Sequence, residues 1–233
     1  LVVDLLHEYE IGVFKRLFTH VLRILEASSP GKVLSYELDK RFRTVPTFNR
    51  TIRKFSSNVS GLKRRAARDY EDILQCVIPV VEGLLPEPLN GIILKLLYLS
   101  ARWHALAKLR IQTEATVTLL ENATTQLGNQ LRFFRESVAG IKTVELESEA
   151  SQREKAAKKK AQRDLPATLP TADSNPPPAA PKKTKRRPTQ LNLSIIKFHL
   201  LGHYVRDIRR LGPTDLYSSE WVCASSFSFV RLF

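Results

Sequence analysis

A chain of 233 residues with 43% hydrophobic side chains is long enough for one or two packed domains. Its 37 Lys and Arg against 23 Asp and Glu leave a net +14, which favours polyanionic partners through phosphate neutralisation and counterion release. No run of about 18 uninterrupted apolar residues occurs, so no membrane-spanning helix is expected; Cys76 and Cys223 alone make neither a zinc motif nor a disulfide framework and fit a reducing compartment.

The opening string LVVDLLHEYE is apolar without a basic leader or a cleavage-site pattern, so it does not read as a signal peptide. Leu1 to Asp4, partly β-branched, suits the end of a strand. From Leu6 to Glu26 the apolar positions Val13, Leu17, Val21 and Ile24 recur every three or four residues, which predicts a helix stopped by Ser28-Ser29-Pro30-Gly31. Val45-Pro46-Thr47 is a second break. Leu62 to Leu85 reads as a helix that Pro79 bends or ends early. Pro86 and Pro88 mark a turn. Ile92 to Arg110 is apolar nearly all round and reads as the central buried helix. Thr113 to Val138 is again amphipathic, and Gly140 ends it.

Composition then changes. Between Ser151 and Gln190 stand eleven cations against Glu154, Asp164 and Asp173, so this stretch holds +8 of the +14, together with seven of the 13 prolines. Such a segment buries too little apolar surface to offset its ordering entropy and reads as a disordered basic linker. Beyond it, Ser194 to Leu211 predicts one more helix, stopped by Gly212-Pro213. The fold class expected is mainly α.

Four strings, DLLHEYEIGVFK (4–15), the run from Glu37 to Pro88 that begins ELDKRFRTVPTF, WHALAKLRIQTE (103–114) and FHLLGHYVRDIRRLGPTDLYSSE (198–220), resemble transposases of the Plavaka type, relatives of the Kyakuja–Dileera–Zisupton and CACTA-like elements. The resemblance covers residues 1 to 220. It implies cut-and-paste transposition by an RNase H-like core, in which three carboxylates hold two divalent ions, Mg²⁺ or Mn²⁺, that activate the attacking oxygen and stabilise the leaving one. The second carboxylate of that family falls in a D-x-x-H string, here Asp4 to His7. The third follows a G-x-x-D-x-Y-x-S/T-E string, here Gly212 to Glu220, and a helical insertion lies between. On this reading 1–27 is a remnant strand and helix of the core, and 28–150 is a helical, bundle-like insertion domain. The linker is 151–190, a C-terminal helix is 191–215, and 216–233 is a divergent tail. The first carboxylate would lie upstream of Leu1. After Glu220 the text WVCASSFSFVRLF matches no family pattern and the third Glu is lost; Val222-Cys223 is compatible with a splice donor, so the tail is expected to be translated intron. The implied protein is a truncated C-terminal transposase fragment, nuclear, inactive by itself and without metal of its own.

Single residues carry rival readings. Asp4 is a catalytic and metal-binding remnant, useful only if the missing carboxylates are supplied, or simply the N-cap of the next helix. His7 orients a carboxylate, touches phosphate or is a partly buried helical histidine. Arg50, Arg53, Lys54, Lys63, Arg64, Arg65 and Arg68, interleaved with Phe48 and Phe55, form a DNA-backbone face or a solvated helix face. If they bind DNA, the alternative function is a non-enzymatic nuclear DNA-binding or scaffold protein. Lys182, Lys183, Lys185, Arg186 and Arg187 make a nuclear-localisation string. His199 and His203 share the i, i+4 spacing of zinc ligands but lack the companion Glu. Trp103, His104 and Cys76 read as core. No membrane and no small-molecule substrate are expected.

Overall fold

The computed structural model describes residues 2–48, 51–61, 66–163 and 185–219. It is mainly helical, and no strand occurs among these residues. The chain enters in an extended conformation at Asp4 (φ −111°, ψ 119°) and turns at once into a π-helix, Leu5–Phe14, which continues as α1, Lys15–Ser28. Of the strand expected at 1–4, the described residues 2–4 form none, because no neighbouring strand among the described residues offers a ladder; Val3 N–H donates instead to the Asp207 carboxylate at 3.2 Å. A turn at Pro30–Lys32, with Gly31 at φ 69°, leads to α2, Val33–Thr44.

Helix α3 spans Ala67–Val81, beginning after an extended Ala66 and ending two residues past Pro79. Helix α4 is Leu89–Ala107 and α5 is Glu114–Ser137. Thr113 caps α5 as the residue type predicts: its hydroxyl accepts from Thr116 N–H at 3.2 Å, and the Thr116 hydroxyl accepts from Thr113 N–H at 2.8 Å. Helix α4 lies at the centre, packed on α3, α5 and the π-helix. It buries Ile93, Leu96, Leu97, Trp103 and Ala107 but leaves Tyr98 more than half exposed. One hydrophobic core runs from Val3 to Ile208, so the stretches 1–27 and 28–150 share it.

The first third of the expected linker is ordered. Residues Glu147–Arg163 form helix α6, which buries only Ala150 and is fastened near its start by Arg23 to Glu149 and by Arg153 to Glu145. Its polar, alanine-rich composition suits a helix that makes few core contacts. The last residues of the expected linker pack as well. Glu145 N–H donates to Arg187 O, Thr189 N–H donates to Thr143 O, and Val144 and Pro188 form an isolated bridge.

The single C-terminal helix expected over 194–211 is broken into α7, Ile196–Leu200, a 3₁₀ turn at Leu201–His203, and α8, Tyr204–Leu211. Gly202 sits in that turn, where its low helix propensity opposes continuation. Helix α7 packs on the π-helix and α8 on α5.

Candidate functional site

The π-helix positions the opening string. Its pitch is set by hydrogen bonds that reach one residue further than in an α-helix: Lys15 N–H donates to Glu10 O. Gly12 permits this, since a Cβ there would stand 2.8 Å from the His7 carbonyl oxygen and 3.4 Å from the Lys197 stem. His7 therefore faces solvent, while Tyr9 and Glu10 both turn into the core.

Asp4 occupies the N-cap position but makes no capping hydrogen bond. Its carboxylate turns to the far end of the chain. Oδ2 accepts from the Ser219 hydroxyl at 2.5 Å, and Oδ1 accepts from Ser219 N–H at 3.3 Å and from the Ser218 hydroxyl at 3.5 Å. His7 Nδ1 closes the group by contacting Asp4 Oδ2 and, at 2.9 Å, Ser219 Oγ. Burial alone would raise the Asp4 carboxyl, but the bonds from Ser219 and His7 outweigh it and hold the group below the ordinary carboxylate value. The cluster is not a serine-nucleophile triad. Serine and aspartate meet the same ring nitrogen of His7, so the imidazole has no path to relay a proton between them.

Six residues along, Glu10 is buried against His104 (Oε1 to Nε2, 3.0 Å), with Lys108 4.0 Å away and itself paired to Glu71 at 2.8 Å. Desolvation raises the Glu10 carboxyl despite these partners. Tyr9 stacks on Trp103 with centroids 4.5 Å apart and donates its hydroxyl to Ser100 O at 2.7 Å. Trp103 and His104 are thus core, as their helix predicts. Glu10, flanked in sequence by Tyr9 and Ile11, is the buried acid that pattern reading passes over. Its only signal is a charged residue between an aromatic and an aliphatic neighbour.

Of the basic residues at 50–68, only Arg53, Lys54 and Arg68 fall among the described residues. Arg50, Lys63, Arg64 and Arg65 lie outside the described residues. Arg53 is spent on Asp69 (2.7 Å) and Asp72 (2.8 Å), fastening the 51–61 loop to α3. Lys54 and Arg68 are exposed. Phe48 is 68% exposed, but Phe55 is buried against Phe42, so the two aromatics do not form one face. Lys182 and Lys183 lie outside the described residues. Lys185 and Arg187 are exposed, and Arg186 is built into the fold, bonded to Glu26 at 2.5 Å and to the Glu145 carbonyl. His199 is exposed, and the turn at 201–203 interrupts the helix on which it would pair with His203. Cys76 is buried, and burial pushes its thiol up to about 11.

No family model, curated protein or solved structure matches this chain. Among the described residues no three His, Cys, Asp or Glu side chains converge on a metal position, and no helix is long and apolar enough to cross a membrane. A two-metal centre needs several carboxylates with free lone pairs. Asp4 brings one carboxylate, and its oxygens are taken up by Ser218, Ser219 and His7. The described donor set does not fit that centre.

Proposed function

We propose that the chain is transposase-derived and that the Asp4–His7–Ser219 cluster descends from a strand-cleavage centre that no longer cleaves DNA by itself. One observation carries this reading. Asp4, from the D-x-x-H string, and Ser219, from the G-x-x-D-x-Y-x-S-E string, lie 215 residues apart and are hydrogen-bonded. These are the two strings that the resemblance assigns to the metal-binding carboxylates of one RNase H-like core, with Mg²⁺ or Mn²⁺ as its cofactor. On this reading the helices between them correspond to the family's insertion. The test is recombinant protein with Mg²⁺ or Mn²⁺ and a supercoiled plasmid. No nicking is expected, and metal-dependent nicking that Asp4→Ala abolishes would overturn the loss of activity. Flanking genomic sequence tests the descent: an upstream segment encoding RNase H-like strands supports it, and an unrelated intact gene there counts against it.

A second reading, a nuclear DNA-binding or scaffold protein without chemistry, is favoured by α6. Lys155, Lys158, Lys159, Lys160 and Arg163 are all exposed on it, with no acidic residue between them. Phosphate contacts need only such cations at helical spacing. Duplex affinity that falls steeply with salt, with a slope reduced by Lys155→Glu and Lys159→Glu, supports this reading. No binding at low salt removes it.

A further inference from the structure

A cleft of about 320 Å³ lies between the start of α1 and the returning segment 189–192, and it shares no residue with the Asp4 cluster. One wall is a stripe of α1: Lys15, Arg16, Thr19 and Arg23. The opposite wall includes Gln190 and Asn192, and Glu149 closes one end. Three cations thus face one carboxylate, and that carboxylate is already committed. Glu149 binds Arg23 through both oxygens, Oε2 to Nε at 3.0 Å and Oε1 to Nη2 at 2.5 Å, and Oε2 also accepts from Leu146 N–H at 2.9 Å.

Lys15 and Arg16 are left without a carboxylate among the described residues; the Lys15 ammonium lies over the face of Tyr70, 5.8 Å from the ring centre. Uncompensated positive charge in a concave site concentrates anions, and the planar guanidinium of arginine matches two phosphate oxygens at once. The rest of the cleft is suited to the body of such a ligand. Asn192 Oδ1 accepts from Ser194 N–H at 2.8 Å, which leaves its amide NH₂ to donate. Gln190 donates its NH₂ to Ala139 O at 3.3 Å, which leaves its oxygen to accept. The volume lies at the lower end of small-ligand sites, roughly 300 to 1,000 Å³.

We propose that this cleft binds a phosphate monoester, with Lys15 and Arg16 holding the phosphate and Gln190 and Asn192 the polar body behind it. The ligand is either a free mononucleotide or the 5′-phosphorylated end of a nucleic-acid strand, and the proposal stands independently of the transposase reading.

Calorimetry on the full chain at physiological salt tests it with AMP and with a short single strand carrying or lacking a 5′-phosphate. Saturable binding is expected. Arg16→Gln and Lys15→Gln each weaken it about tenfold or more, the scale of one charge-assisted hydrogen bond. Arg132→Gln, an exposed cation of α5, leaves it unchanged. Both cleft side chains are exposed, and circular dichroism verifies that the variants fold. AMP binding points to the free nucleotide. Binding of the strand alone, and only with its 5′-phosphate, points to a strand end. The proposal fails if no probe binds saturably, if the cleft variants bind like the unaltered chain, or if AMP does not bind and the strand binds equally without its phosphate.

Discussion

Asp4, at the N-cap position of the π-helix, and Glu10, six positions on within it, are two acids that the fold treats in opposite ways. Asp4 sits at a partly exposed meeting of chain ends, where hydrogen bonds from Ser219 and His7 keep its carboxyl below the ordinary value. Glu10 lies in the core, where loss of water raises its carboxyl although His104 and Lys108 attend it. The number of partners does not explain the difference. Burial does: desolvation works against charge at both sites and wins only where water is nearly excluded. Linkage then separates the two by pH. Asp4 contributes stability above its unfolded value near 3.8, and that contribution is lost as pH falls through its lower folded value. For Glu10, favourable linkage is present below its unfolded value near 4.5 and is lost as pH rises through its higher folded value.

The largest expected effect comes from breaking the buried side of this contrast. His104→Leu strands the Glu10 carboxylate in the core and is expected to cost about 3–5 kcal/mol in urea unfolding at neutral pH. Glu10→Gln keeps a hydrogen-bonding group facing His104 and should cost less than about 1 kcal/mol. Equal losses from the two would show that the pair acts through packing.

His20 sharpens the comparison as a buried group without a counter-ion. It is 1% exposed, neither ring nitrogen has a hydrogen-bond partner among the described residues, and the ring meets the edge of Phe134. Desolvation, helped by Arg23, lowers it to about 4. A lowered histidine leaves the unfolded state to take up the proton first, so stability falls from about pH 6.5 to about pH 4, by up to about 3 kcal/mol. His20→Leu should flatten that slope in denaturation curves taken across the range.

Gly12→Ala probes the helix that follows Asp4 and carries Glu10. The added methyl meets the His7 carbonyl oxygen at 2.8 Å, and about 1–3 kcal/mol of destabilisation is expected. Asp4→Ala is a mild change, about 1 kcal/mol, because its partners remain near water. Its readout is local: faster amide hydrogen exchange at 217–219, with exchange in α4 unchanged.

Where burial follows a period, the sequence already shows it. Leu17, Val21 and Ile24 mark α1, Pro30 and Gly31 mark its end, and Thr113 marks the start of α5. Three features escape such reading. The π-helix leaves no trace in a 3.6-residue template, because LLHEYEIGVF fits an α-helix equally well. Helix α6 buries one alanine, so composition alone makes it look unstructured. The Asp4–Ser219 contact joins positions too far apart for any local rule. The broken C-terminal helix and the buried Phe55 likewise depend on packing that no string announces.

The return of the chain at 185–219 has one more consequence. Arg186 on Glu26, Thr189 on Thr143, and Leu191, Leu200, Leu201, Tyr204 and Ile208 in the core hold this segment to the body by non-covalent contacts alone. A backbone break anywhere between 164 and 184 crosses none of them. Residues 1–163 and 185–233, expressed as separate polypeptides, should therefore associate by fragment complementation and restore the Asp4–Ser219 contact in trans.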